Sequence, residues 1–172
     1  MNILAPPRTR LHIEVVFDLV CPWCFLGVRR LRRTLRGRPD LGADIAWRPF
    51  LLNPDIIAGG LPRADYVLRK FGGEDRARRL HATIAELGRA EGLGFHFDRI
   101  RRIPASLDAH RLVRLADRHG LAADAVEALF AAYFCDGQDI GDLGVLAQLA
   151  GSIGMDPSIT RRLLAGPAEV EA

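Results

Sequence analysis

The chain has 172 residues, 49% of them apolar and 26% charged, which suits one packed domain, or one carrying a large insertion, and excludes wholesale disorder. Its 24 basic residues stand against 21 acidic ones, for a formal net charge of +3; arginines interleave with acids, Lys70 is the only lysine, and the concentrated basic face of a nucleic-acid binder is missing. No apolar run of signal-peptide or membrane-spanning length follows Met1–Arg10, so the expected location is cytoplasmic, with neither a membrane nor a nucleic acid as partner.

Residues 11–17, LHIEVVF, are β-branched and apolar and predict a strand. Residues 22–36 predict a helix, because Cys24, Val28, Leu31 and Leu35 fall on one face. The opposite face carries Arg29, Arg30, Arg32, Arg33 and Arg36, read as solvated cations that suit the last turns of a helix and could attract acidic partners. Gly37 and Pro39 end it. Residues 44–52, DIAWRPFLL, predict a second strand interrupted at Pro49. Strand, helix and strand at this spacing predict a parallel βαβ unit.

From about Pro62 onward the pattern is helical. A short helix is expected over 64–71, and a longer one carries Ala77, Leu80, Ile84 and Leu87, with Gly92 after it. Ser106 is the expected cap of the next, which shows Ala109, Leu112, Val113 and Ala116 and stops at Gly120. Val126–Phe134 and Leu146–Ile153 supply two more apolar stripes, and Asp156-Pro157 marks a helix start. Two strands make no stable sheet by themselves, so the sheet is expected to be incomplete.

Cys21-Pro22-Trp23-Cys24 carries the chemistry. Pro22 suits the first helical position, which places Cys21 at the cap, where free N–H groups and the helix dipole favour a thiolate. A thiolate is the nucleophile of disulfide exchange. Cys24, in register with the buried face, is the expected resolving thiol, which displaces the partner from a mixed disulfide. Zinc is the competing reading, but no second cysteine pair supplies its remaining ligands, and His81, His110 or Cys135 would have to be recruited. An inert buried pair is the third reading.

Asp18, three residues before Cys21, is a candidate proton carrier for Cys24, weighed against a turn-capping carboxylate. Trp23 is expected as a partly exposed wall that touches substrate polypeptide. His110 lies one position off its helix's apolar face and reads as a satisfied structural histidine, and Cys135 reads as a buried or incidental thiol.

The segment Asp18-Leu-Val-Cys21-Pro-Trp-Cys24-Phe-Leu-Gly27 resembles the start of the FrnE-like branch of the DsbA-type thiol–disulfide oxidoreductases. Trp47-Arg-Pro-Phe50-Leu-Leu-Asn53-Pro54, Asp108-Ala-His110-Arg111-Leu112, and Leu129–Phe134 followed by Asp139-Ile140 resemble later stretches of that family. The resemblance implies an α/β, thioredoxin-like fold with an all-helical insertion: residues 1–60 the N-terminal part of the thioredoxin-like domain, 61–166 the insertion, and 167–172 the start of the return. It also implies a cis-proline loop, two more strands and a last helix. None is found before Ala172, and Pro167 is no convincing substitute, so the chain is expected to be shortened, marginally stable, or paired with a second copy through open edges. Where the family often has Asn-Thr before its AHRL segment, this chain has Ala105-Ser106.

The function expected is a dithiol–disulfide oxidoreductase or isomerase acting on protein thiols or disulfides, with glutathione or a thioredoxin-type protein as candidate reductant and neither cofactor nor metal. Two alternatives are a glutathione-dependent isomerase or transferase of the related kappa-like class, acting on a small aromatic substrate, and a non-enzymatic holdase. Cysteine in both positions of the motif argues against the isomerase.

Overall fold

The β-branched run after Thr9 forms β1 (Arg10–Phe17) in the computed structural model, which describes residues 10–166. β1 pairs in parallel with β2 (Gly42–Pro49), from Arg10 beside Gly42 to Phe17 beside Pro49. β2 ends sooner than its apolar sequence predicts, because Pro49 has no N–H for a further rung. After one last bond, from the Phe50 N–H to the Phe17 carbonyl at 2.9 Å, the chain leaves the sheet. The crossover is α1 (Pro22–Gly37), with Pro22 in its first turn as expected.

The remainder is helical with one correction. A two-residue antiparallel pair, β3 (Leu61–Pro62) with β4 (Arg102–Ile103), ties the start of the helical part to its middle. Strands this short carry no alternation to be read. Between them run α2 (Arg63–Phe71) and α3 (Glu74–Arg89); α2 stops at Gly72, whose φ of 73° favours glycine. Then come α4 (Leu107–Asp117), α5 (Ala122–Phe134), α6 (Leu143–Ser152) and α7 (Pro157–Ala165). Asp156 caps α7 by accepting from the Ser158 and Ile159 N–H groups at 2.8 and 2.9 Å, and Asp142 does the same for α6. Residues 1–9 and the return expected over 167–172, Pro167 included, lie outside the described residues.

One apolar core runs from the end of β1 through α1 into α4 and α5. At its centre Phe25 of α1 stacks on Phe130 of α5 with ring centroids 5.0 Å apart, and Phe17 meets Phe130 at 6.2 Å and Trp47 at 5.5 Å. This packing seats the first turn of α1 against the core.

The basic face of α1 is not the free solvated surface expected of it. Arg29 and Arg32 pair with Glu127 of α5, and Arg30 and Arg33 both reach Glu91 beyond α3. These arginines fasten α1 to the helical part. Arg111, 4% exposed, similarly spans from Asp108 on its own helix to the carbonyls of Leu163, Leu164 and Gly166, closing the C-terminus of α7.

Candidate active site

The four-residue motif occupies the turn where β1 hands over to α1. The Cys21 N–H donates to the Asp18 carbonyl at 3.0 Å, which closes the turn, and the Cys21 carbonyl accepts from Cys24 and Phe25 at 3.1 and 3.3 Å, which starts the helix. Cys21 is therefore the cap residue, in extended conformation at φ −100° and ψ 109°. Pro22 fixes the next φ and has no N–H to leave orphaned. Cys21 and Cys24 are both free thiols and both partly buried, so access does not separate an exposed attacker from a shielded partner as the sequence suggests.

Their proton affinities do separate them. The Cys24 thiol donates to the Cys21 sulfur, which together with the N–H groups of Cys24 and Trp23 outweighs burial and the repulsion of Asp18 and brings the Cys21 thiol down to about 6. Those two N–H groups face the sulfur without closing a full capping bond. The same thiol–thiol contact, followed by burial and nearby negative charge, pushes Cys24 far up. Cys135, in contrast, is raised by burial and by Asp136, as expected of a thiol nothing activates.

Asp18 is 1% exposed and joins three elements. Its Oδ2 accepts from the Leu52 N–H, beyond β2, at 2.7 Å; its Oδ1 accepts from the Val20 N–H at 3.3 Å and lies 3.4 Å from Nε2 of His110. Burial pushes the carboxyl up, but the bonds from His110, Leu52 and the Ser106 side chain bring the net effect below the ordinary carboxylate range. An ionised carboxylate only accepts, so the ring nitrogen facing it carries the proton.

His110 corrects the sequence reading. It is 3% exposed rather than beside the apolar face, packs edge-on to Phe17 at 5.1 Å, and its Nδ1 has no partner among the described residues. Ser106 begins α4 but makes no capping bond there; its side chain serves Asp18 instead. The Asp18–His110–Ser106 cluster is not legible in the sequence, because Asp18 lies 92 positions from His110 and the position of His110 on a helical wheel points slightly away from the core.

Trp23 is half-exposed, at 47%, and lines, with Cys21 and Pro22, a cavity of about 240 Å³. α2, α3 and the segment around Phe97–Ile103 wall it. Among the described residues no group of three or more His, Cys, Asp and Glu side chains could hold a metal, and no helix is long and apolar enough to cross a membrane.

Residues 12–172 match the sequence profile of the DsbA-like thioredoxin domain. The chain belongs to that family. Among curated proteins it is 25% identical over 146 residues to the uncharacterized protein YwbO of Bacillus subtilis strain 168, covering 85% of this chain and 68% of YwbO. Among solved structures, the probable DsbA oxidoreductase SCO1869 of Streptomyces coelicolor is 28% identical and superposes with a TM-score of 0.83 over 92% of this chain and 69% of that one. The cytosolic disulfide reductase DsbM of Pseudomonas aeruginosa, at 16% identity, gives 0.65 over 92% and 71%, and has also been solved with GSH. A 2-hydroxychromene-2-carboxylate isomerase, also 16% identical, gives 0.64 over 91% and 72%. Likeness at 16% identity speaks for the fold, which is the thioredoxin-like fold of DsbA relatives.

Proposed function

We propose that this chain is a dithiol–disulfide oxidoreductase in which Cys21 attacks and Cys24 resolves. The observation that carries the reading is the opposite pull on two thiols one helical turn apart: Cys21 is lowered to about 6 while Cys24 is raised. At neutral pH Cys21 is a thiolate and Cys24 keeps its proton. The Cys21 sulfur attacks a substrate disulfide, one half leaves as a thiolate, and a mixed disulfide forms. Once Cys21 is in a disulfide its negative charge, which helped hold the proton on Cys24, is gone. Cys24 then deprotonates and displaces the second half, leaving a Cys21–Cys24 disulfide and two substrate thiols.

Pro22 and Trp23 serve this chemistry by shape: Pro22 presets the cap, and Trp23 is the exposed wall beside the reacting sulfur. Asp18 serves it by charge. Its two oxygens already accept from Leu52, Val20, His110 and Ser106, so it acts as a fixed anion and not as a proton carrier. A negative charge there raises both thiols, which disfavours the thiolate form and pulls the centre toward reduction of substrates. The same direction is that of DsbM, a cytosolic disulfide reductase solved with GSH. A cytoplasmic reductase drawing electrons from glutathione or a thioredoxin-type protein is the reading carried over to this chain, with residues 61–166 as a helical insertion into the thioredoxin-like domain. The isomerase alternative uses one nucleophile and leaves the coupled thiol of Cys24 without a task.

Insulin reduction with dithiothreitol as electron source tests this. The parent and Cys135→Ala reduce insulin at rates within a few-fold of each other, while Cys21→Ser and Cys24→Ser both fall to the uncatalysed rate. Turnover surviving Cys21→Ser would overturn the reading.

A further inference from the structure

The cavity that Cys21, Pro22 and Trp23 line has a composition that thiol exchange alone does not require. It is about 240 Å³ in volume, and Cys21 is one of the residues that line it. Its walls are apolar and aromatic, with Tyr66, Phe71, Phe97 and Tyr133 among them. A polar substrate chain would gain nothing from such a lining, because burying polar groups without partners costs free energy. Its titratable lining besides the cysteine and the two tyrosines is basic: Arg63, Lys70 and His81, with no carboxylate.

The three basic groups differ in what they can offer. Arg63 is already held by Glu74 through two bonds of 2.9 Å. His81 stacks on Phe97 with centroids 4.2 Å apart, and burial followed by the charge of Arg63 pushes it below its ordinary value, so at neutral pH it contributes a flat ring and no charge. Lys70, the only lysine in an arginine-rich chain, is exposed and has no ion-pair partner among the described residues. The cavity therefore pairs a flat apolar interior with one uncommitted cation.

We propose that this cavity selects the disulfides presented to Cys21, favouring a sulfur that carries a flat apolar group ending in an anionic group, with the apolar part against the aromatic walls and the anion on Lys70. The inference rests on Cys21 being the attacking thiol. The step is the first half of the exchange: the Cys21 thiolate attacks the sulfur bearing the apolar group, the Cys21–S bond forms as the substrate S–S bond breaks, and the other half departs as a thiolate with both electrons of that bond.

The test uses Cys24→Ser, Cys135→Ala protein, in which Cys21 is the one thiol left, and three disulfides: 5,5′-dithiobis(2-nitrobenzoate), aromatic and anionic; 4,4′-dithiodipyridine, aromatic and neutral; and hydroxyethyl disulfide, small and polar. Each rate is divided by that of N-acetylcysteine with the same reagent, which removes intrinsic reactivity. The normalised rate is expected to fall in the order given, by about tenfold or more from first to last. Lys70→Glu, at an exposed position, is expected to cut the nitrobenzoate rate by about tenfold while leaving dithiodipyridine within twofold, as for a steering charge at a cleft. Equal normalised rates for the three reagents would overturn the selectivity, and equal losses for both aromatic reagents in Lys70→Glu would overturn the role of Lys70. A Cys21 slower than N-acetylcysteine with every reagent would overturn the thiol chemistry itself, and this inference with it.

Discussion

Cys21 and Cys24 lie in one helical turn, yet one gives up its proton easily and the other holds it, because they share it. The pH profile of the reaction follows. Only the thiolate attacks, so alkylation of Cys21 should rise through about pH 6 and be flat above pH 7, where an ordinary thiol is still climbing toward about 8.5. Thiolate absorbance should show this midpoint in Cys24→Ser, whose hydroxyl still donates, and a higher one in Cys24→Ala, which cannot. Asp18 gives a second check. Its folded value is depressed, so its stabilising effect is present above the ordinary carboxylate range and lost as pH falls through the folded value. Asp18→Asn should remove that acid-side loss, cost about 1–3 kcal/mol at neutral pH because an amide N–H₂ replaces one acceptor of a buried cluster, and lower the Cys21 midpoint further. Calorimetry across pH and thiolate titration measure the two effects. At this scale the sequence is legible where the chemistry is local: Cys21, Pro22 and Cys24 announce a capped helix by type and spacing. The partners of Asp18 are not legible, since Leu52 contributes a backbone N–H and His110 arrives from a helix 92 positions away.

Helices came through clearly because their apolar stripes repeat over several turns, and caps such as Asp156 are local side-chain-to-backbone bonds. What failed was the meaning of charge. The arginines of α1 looked like a wet surface, since Glu91 and Glu127 lie far along the chain. Nothing in the sequence marks Arg111 as buried, yet it lies against the end of α7. Its guanidinium donates to the Leu164 and Gly166 carbonyls and adds a second donor to that of Leu163, which already accepts from the Gly166 N–H. Arg111→Met should keep the stem's packing and strand the Leu164 and Gly166 carbonyls, at a cost of about 3 kcal/mol. For a chain this size that corresponds to a melting temperature lower by about 6–12 °C. A shift under about 2 °C in a thermal melt would show that the α7 end is held by other contacts.

At the scale of the whole molecule, the strand-helix-strand unit and the helical part share one core instead of meeting at a polar seam. Phe25 stacks on Phe130, and Phe17 contacts Phe130 and His110, so the turn that carries Cys21 is braced from the helical side. Phe25→Ala should cost about 3–5 kcal/mol and shift one cooperative unfolding transition, followed by fluorescence and circular dichroism together. Two separated transitions would show that the parts fold independently. The parallel pair and the helical succession were both legible from periodicity; the β3–β4 tie was not, being two residues long on each side.

Trapping of the covalent intermediate tests the central assignment of the two cysteines most directly. With Cys135 replaced by Ala, the Cys24→Ser and Cys21→Ser proteins are each mixed with a disulfide-bonded substrate at pH 7, quenched in acid, digested and mapped by mass spectrometry. A stable mixed disulfide on Cys21 is expected in the first protein, and little adduct on Cys24 in the second, because burial and the charge of Asp18 still disfavour the Cys24 thiolate when Cys21 is absent. An adduct forming on Cys24 as fast as on Cys21 would contradict it.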